Sequence, residues 1–594
     1  MSAYAVLSVK ARRLRVAIAG DTIAVGTLAV IGTLILAYTW NRWGNVDNDT
    51  GYDTLAGWRV AHGQLPYVDY VYYYGPLAPF ALGLFSLVGG DGMVPALVFG
   101  LLIAWAIVAA TYALARTLLE PLGAFLATAL VLPVAFSSNQ FSYVDPHTHS
   151  ATLAVLLALL FLLAMNRFSV TGSQRWLVAA GTCAGLALLT RPEFAAAVLL
   201  GAAAWLWARR RGGAARGREL LVFAAPALAI PAVVYGAFLT AVSPHRLLFE
   251  NLYPRDFYHA AASTMLKARA PLTLSSFVQL GAKLLLYAAL MGGAVLAVRA
   301  VERRPRLRIP ALVASAAGAI VVAIASIADP EALRHGLQFA YGWIPAGAAV
   351  AAVLLVRAVW KSGARDRSTH LELGGTVALA VVAAATYAGF YINAFFAQMA
   401  VYALPLAAVF LACLHLRQLA TSRGTALLGV AWLAFLVAAG VGLTLKDARA
   451  ESALVHGPGG TIAAKPEQAA VYRQVIAWID RSTAPHAQIL VAPQLTWVYA
   501  VSERRNPLPE LSLLPGALAK PGSEQAAIRQ LERAHVPLIV TERRTFEGYG
   551  HTYFGGSFDR DLAAWIRSHY RHAAVLGSTG PAEDAVDIWL RRST

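Results

Sequence analysis

Apolar runs close to 20 residues long recur along this chain from about residue 16 to residue 445. About 20 consecutive apolar residues are what a helix needs to cross the hydrocarbon core of a bilayer. A chain with many such runs has little choice of fold. The rest of the composition agrees: of 594 residues, 58% are hydrophobic and 14% charged, with a mean hydropathy of +0.56. The fold class this implies is a polytopic α-helical membrane protein with a soluble α/β domain at its C-terminal end.

Thirteen spans are expected, at about 18–40, 94–115, 121–138, 146–165, 176–190, 192–208, 220–241, 274–298, 310–328, 337–356, 372–391, 396–416 and 425–445. The segment 76–90 is apolar but ends in GGDG, which suggests a re-entrant or surface helix leading into the second span. Basic residues set the sides. With a cytoplasmic N-terminus, the cytoplasmic segments hold 23 Lys and Arg and the opposite loops before residue 446 hold 8. That bias fixes the orientation by the positive-inside rule. It also explains the net charge of +17 without nucleic acid, which is excluded as a partner. Lys10, Arg12, Arg13 and Arg15 precede an apolar stretch that runs to Trp40 with no small-residue cleavage site, so it reads as a retained first span. Cys183 and Cys413 both lie in apolar runs and read as small buried residues.

An odd number of spans places residues 446–594 outside, together with the first loop. This tail is less apolar and alternates helices (about 467–481, 524–534, 558–570) with strands (487–493, 537–542, 572–577, 586–591), a pattern that indicates an α/β layer. The expected domains are therefore 1–445, a transmembrane domain with an outer loop at 41–93, and 446–594, an outer α/β domain.

The stretch Asp47–Leu77 is the outlier. It carries four aspartates and six tyrosines directly after the first span. Loops of this length are uncommon unless they have a function. Residues 49–63 read as a surface helix ending at Gly63, with Asp49 or Thr50 as N-cap and Thr50 with Asp53 as a capping box. Capping and catalysis by Asp49 are compatible, and Asp47 competes for any catalytic role. Asp53 reads as a helix-start residue and Asp69 as a subsidiary site residue. Tyr67, Tyr70, Tyr72, Tyr73 and Tyr74 offer faces for sugars, although an interfacial aromatic belt has the same composition.

Ionisable groups near membrane depth are costly and therefore candidates for function. On the outer side these also include Asp145, His147, His149, Arg191, Glu193, Arg255, Asp256, His259, Asp329, Glu331, Arg334 and His335. Asp145-x-His147-x-His149 has the composition of a metal site. On a helix, however, positions i and i+2 face apart, which favours capping and acceptor contact. Arg191 and Glu193 sit between two short spans, either as a local ion pair or with the guanidinium fork facing a phosphate. Arg255 and His259 lie among aromatics, in a loop over the site or in an interfacial belt.

At these residues the chain resembles the GT-C superfamily of membrane glycosyltransferases, in the bacterial branch related to protein O-mannosyltransferases and to the lipid A aminoarabinose transferase. The resemblance rests on an acidic residue soon after span one, followed by GY, A-x-x-R-x-x-HG-x-LPY-x-D and GPL within residues 49–77. It also rests on Asp145 at the fourth span, on LLTRPE at 188–193 and on the outer tail. Asp49 falls on the family's Asp, and Thr50 replaces the Glu that usually follows it.

The resemblance implies an inverting transfer of a sugar from a polyprenyl-phosphate carrier to an acceptor hydroxyl at the outer face of a bacterial cytoplasmic membrane. Asp49, or Asp47, would be the general base. Asp69, Tyr67, Tyr74, Asp145, His147, Arg191, Glu193, Arg255 and His259 would bind substrate. The partners implied are the lipid-linked donor, a glycan, lipid or protein acceptor, and the bilayer. No cofactor is called for and a divalent cation is not expected. A flippase for lipid-linked sugars and a non-catalytic assembly protein are the competing readings. The gathering of charges at the outer boundary, rather than at the midplane, counts against the flippase.

Overall fold

The computed structural model describes residues 3–44, 49–138, 142–211, 217–264, 274–329, 343–362, 367–388, 401–419, 422–577 and 585–592. Asp47, Glu331, Arg334 and His335 lie outside this set.

The chain is mostly helical. Among the described residues, eight helices are long and apolar enough to cross a membrane. They include the later part of α1 (Ala3–Tyr38), α4 (Val94–Leu118), α7 (His149–Thr171) and α10 (Gly217–Leu239). This is fewer than the thirteen expected spans. The expected span at 121–138 is divided into α5 (Pro121–Ala129) and α6 (Leu132–Ala135). Helix α8 (Arg175–Leu188) has 14 residues, about 21 Å at the helical rise, against a hydrocarbon core of about 30 Å. It packs between α7 and α10. Hydrophobicity alone does not show that shortness, because a short helix and a spanning one are equally apolar.

Close helix contacts use small residues, as is usual where lipid supplies no hydrophobic drive between helices. In α9 (Pro192–Arg211), a Cβ on Gly201 would come within 2.8 Å of the Gly374 carbonyl oxygen. One large apolar core joins α1, α4, α7, α8, α9 and the helix Leu404–Cys413.

The surface helix expected after the first span is α2 (Tyr52–Ala61), and the GGDG segment is α3 (Leu77–Gly89). They pack on one another. The tail opens with a hairpin that the sequence pattern did not predict, β1 (Ala453–Gly457) with β2 (Gly460–Ala464). A mixed sheet follows, ordered β3 (Leu490–Ala492), β4 (Leu538–Glu542), β6 (Val586–Arg591), β5 (Tyr570–Leu576). β3 and β4 are parallel, and the other pairs are antiparallel. The helices Pro466–Ser482, Ser523–Arg533 and Arg560–His569 accompany it, close to the expected boundaries.

The first loop and the tail are sewn together. They share a core in which Leu55, Trp58, Tyr67, Tyr70 and Tyr72 lie with Val475, Val491, Trp497 and Val540. Backbone bonds cross the seam from Val71 N to the Pro509 oxygen (3.0 Å) and from Met93 N to the Gly459 oxygen (2.8 Å). Arg59 donates to the carbonyls of Asn506 (3.0 Å) and Leu508. These contacts hold the first loop rigid, so any site on it is preorganised by the tail.

Candidate active site at the seam of loop and tail

The site begins at the turn before α2. Asp49 accepts the Tyr52 N–H through its carbonyl at 3.0 Å. Gly51 has φ +92°, and a Cβ there would run into the backbone of Trp497. Glycine is the residue that tolerates both conditions. The Thr496 hydroxyl donates to the Thr50 carbonyl at 2.9 Å. The tail thus fixes the turn that carries Asp49.

The expected caps are not made. Gly51 occupies the N-cap position of α2 with no side-chain bond, so neither Asp49 nor Thr50 caps this helix and the capping box is absent. Asp49 is turned instead to His147, whose Nδ1 lies 2.6 Å from its Oδ2. Asp53 is turned to the start of α7. Its Oδ2 accepts the His149 N–H at 2.6 Å and the Thr148 hydroxyl at 3.2 Å, and its Oδ1 accepts the Tyr72 hydroxyl at 2.8 Å. A carboxylate at a helix N-terminus satisfies orphan N–H groups and opposes the positive end of the dipole. Burial works against the Asp53 charge, but the bonds from His149 and Tyr72 prevail and hold the carboxyl below its ordinary value. By tying α7 to α2, Asp53 brings His147 to Asp49.

The other wall is the end of the loop. Gly75 N donates to the Thr190 oxygen (2.9 Å) and Leu77 N to the Leu189 oxygen (3.0 Å). This lays the loop against the turn that carries Arg191. The Arg191 guanidinium lies 5.3 Å from the centre of the Tyr74 ring, and its Nε is 2.6 Å from Glu193 Oε1. The local ion pair and the inward-facing guanidinium therefore coexist. The Tyr74 hydroxyl is 3.3 Å from His147 Nε2. Burial pushes the Tyr74 phenol up, with Arg191 opposing, so Tyr74 is a neutral hydrogen-bonding group. Burial would lower the His147 pKa, yet the Asp49 charge and bond outweigh it and the imidazole titrates above its ordinary value. Asp145 is buried beside Thr50, and burial pushes its carboxyl up to about 6.

Asp49, His147, Tyr74, Arg191, Glu193 and, one step deeper, Asp145 thus gather at one place. The other predicted residues do not join them. Asp69 accepts the Leu65 N–H at 2.7 Å within its own turn. Tyr67 is fully buried, donates to the Tyr74 carbonyl at 2.5 Å and packs edge-on against Phe238. Tyr70 and Tyr72 are also fully buried, so three of the tyrosines are core rather than sugar platforms. Arg255 pairs with Asp256 at 3.8 Å and lies over Phe249. His259 is exposed beside Tyr258.

His147 and His149 address different carboxylates, so the Asp-x-His-x-His triplet does not converge as metal ligands would. Among the described residues no group of three or more His, Cys, Asp or Glu side chains could hold an ion. Sequence reasoning missed Tyr402. It is buried, with its ring 6.1 Å from that of Tyr143, and its phenol senses Arg191, His147 and Asp49. It comes from a late apolar segment and carried no signal of its own.

Residues 74–235 match the family of dolichyl-phosphate-mannose-protein mannosyltransferases. This segment contains Tyr74, Asp145, His147 and Arg191, and the match bears out the resemblance to GT-C glycosyltransferases. Two solved structures are similar over most of the chain. One is the archaeal oligosaccharyltransferase AglB from Archaeoglobus fulgidus in complex with an inhibitory peptide and a dolichol-phosphate. It is 16% identical with a TM-score of 0.44, over 92% of this chain and 73% of that one. The other is ArnT from Cupriavidus metallidurans bound to undecaprenyl phosphate. It is 14% identical with a TM-score of 0.42, over 95% of this chain and 97% of that one. No curated protein sequence matches.

Proposed function

We propose that this protein is an inverting glycosyltransferase that moves a sugar from a polyprenyl-phosphate donor to an acceptor hydroxyl at the outer face of a bacterial cytoplasmic membrane. Thirteen spans with a cytoplasmic N-terminus belong to this reading, as does its division at residue 445 into a membrane domain and an outer domain. The observation that carries it is the Asp49–His147 pair, held open beneath Tyr74 and Arg191. Both side chains are 26% exposed, so they are framed by protein yet reachable.

Asp49 acts as general base. His147 engages Oδ2, which leaves Oδ1 for the acceptor hydroxyl, and a base must lie within hydrogen-bond reach of the proton it takes. The acceptor oxygen attacks the anomeric carbon and its proton passes to Asp49. The bond from that carbon to the phosphate oxygen breaks, and polyprenyl phosphate leaves with the electron pair. Arg191 stabilises the developing phosphate charge. Its Nε is committed to Glu193, which orients the fork and leaves the Nη donors for phosphate oxygens. Tyr74 holds His147 from the far side, and Asp145 supports the turn through Thr50.

The test is Asp49→Asn, assayed by mass spectrometry of the envelope glycans that disappear when the gene is deleted. The variant is expected to insert in the membrane and fold, yet fail to restore those glycans. Full restoration would overturn the assignment of Asp49. Accumulation of unconsumed lipid-linked sugar in the variant is the second expected sign.

A further inference from the structure

A cavity lies in the tail. It encloses about 440 Å³ between the ends of β4 and β6, the helix Arg560–His569 and the loop through Tyr553 and Phe554. That volume is within the range of small-ligand sites, roughly 300–1,000 Å³. None of the seam residues lines it, and the proposed transfer chemistry does not use it.

Its lining combines fixed polar groups with aromatic faces. Arg543 grips Asp587 as a fork, Nε to Oδ2 and Nη2 to Oδ1, both at 2.7 Å. His572 Nε2 adds a third contact to Asp587 Oδ1 at 2.7 Å. This preorganises the polar edge of the cavity and leaves the Nη1 donors of Arg543 for a ligand. Arg567 has no carboxylate partner among the described residues and is exposed at the rim. Trp589, anchored by a 2.9 Å bond from its indole N–H to Thr541, supplies one aromatic wall. Phe554 and the half-exposed Tyr553 supply the others.

This is the chemistry of a sugar ring. A saccharide has C–H faces that stack on aromatic rings, and it has hydroxyls that must each find a donor or an acceptor when desolvated. A purely anionic ligand would not call for three aromatic walls, and an apolar one would strand the Arg543–Asp587 edge. The cavity is also tied to the seam. His551 Nε2, in the same loop, lies 3.2 Å from the Ala260 carbonyl. That turn carries Phe257, which stacks on Tyr73 at 5.3 Å, next to Tyr74.

We infer that the tail cavity is a saccharide-binding subsite that holds a ring of the acceptor glycan while a more distant hydroxyl reaches Asp49. Calling the saccharide an acceptor rests on the glycosyltransferase reading; saccharide binding by the cavity does not.

The experiment is saturation-transfer difference NMR on the full chain in lipid nanodiscs, with methyl α-mannoside, N-acetylglucosamine and methyl arabinoside as probes. At least one probe is expected to receive saturation, with at least a threefold loss in Tyr553→Ala/Arg567→Gln, two rim changes that leave the sheet intact, and in Trp589→Ala. Asp49→Asn is expected to bind like the parent, which separates this subsite from the catalytic reading. The inference is overturned if no probe receives saturation, or if the rim variant binds undiminished. It is also overturned if the rim variant loses binding yet restores the envelope glycans in full.

Discussion

Two Asp–His pairs stand side by side in this protein, and they differ in one respect above all. Asp49 and His147 are 2.6 Å apart, each a quarter exposed. Asp53 and His149 are 3.4 Å apart, at 6% and 2% exposure. The same two residue types, four positions apart on one segment and two apart on the other, have been divided between tasks. The sealed pair locks α2 to α7 and keeps its carboxylate charged. The open pair is held in place by that lock and keeps one carboxylate oxygen free. Composition does not distinguish these pairs; access to the outside does.

Mutations should separate the two pairs in order of effect. Asp49→Asn is expected to cost about 10²–10⁴-fold in transfer, the usual worth of a positioned base, with little change in the thermal midpoint. Asp53→Ala should lower the thermal midpoint as well, which Asp49→Asn does not. Removing a buried carboxylate from Tyr72, Thr148 and the start of α7 leaves donors unpaired, a loss of roughly 3 kcal/mol that would appear as a lower midpoint in detergent. If Asp53→Ala melts like the parent, the lock is not structural.

Asp145 offers a pH test between them. Its carboxyl binds a proton more tightly folded, at about 6, than at its ordinary 3.8. Stability therefore falls as pH rises from about 4 to about 6 and stays lower above. Asp145→Asn should raise the midpoint at pH 7.5 by the equivalent of roughly 2–3 kcal/mol and leave it unchanged near pH 4. A variant that is equally stabilised at both values would refute the burial argument.

The smallest effect is expected from His147→Gln, which keeps an N–H donor for Asp49. A loss of roughly tenfold, about 1.4 kcal/mol, should come with a change in the pH–rate profile. Because His147 titrates above its ordinary 6.5, the parent profile should carry a break on that side which the variant lacks. An unaltered profile would remove His147 from the proton chemistry of the site.

Much of this was legible in the chain. Spacing of apolar runs placed many of the helices, and strand and helix alternation in the tail placed seven of its elements within a few residues. The acidic, aromatic stretch after the first span did contain the candidate base. What was misread had a common cause. Thr50 and Asp53 satisfy a local capping pattern, yet α2 starts from Gly51 and the Asp53 carboxylate caps a helix nearly a hundred residues later. Asp69 and Tyr67 looked as available as Tyr74, yet one closes its own turn and the other is core. Tyr402 was invisible because it lies in a late apolar stretch with no charged residue near it.

The sequence by itself determined the class of fold, because twenty-residue apolar runs and short apolar strands alternating with helices are properties of the chain that water and lipid read directly. It also determined which residue types are available for acid–base and phosphate chemistry. Only the tertiary structure decided which of them meet. Among the described residues eight helices are long and apolar enough to cross a membrane while α8 has only 14 residues, and the tail is welded to the first loop. Asp49 faces His147 while Asp53, one helical turn on, faces a helix end. Those choices depend on side-chain direction and on contacts between segments hundreds of residues apart. A hydrogen-bonded carboxylate gains more from a distant helix's unpaired N–H groups than from a local cap that water can satisfy as well.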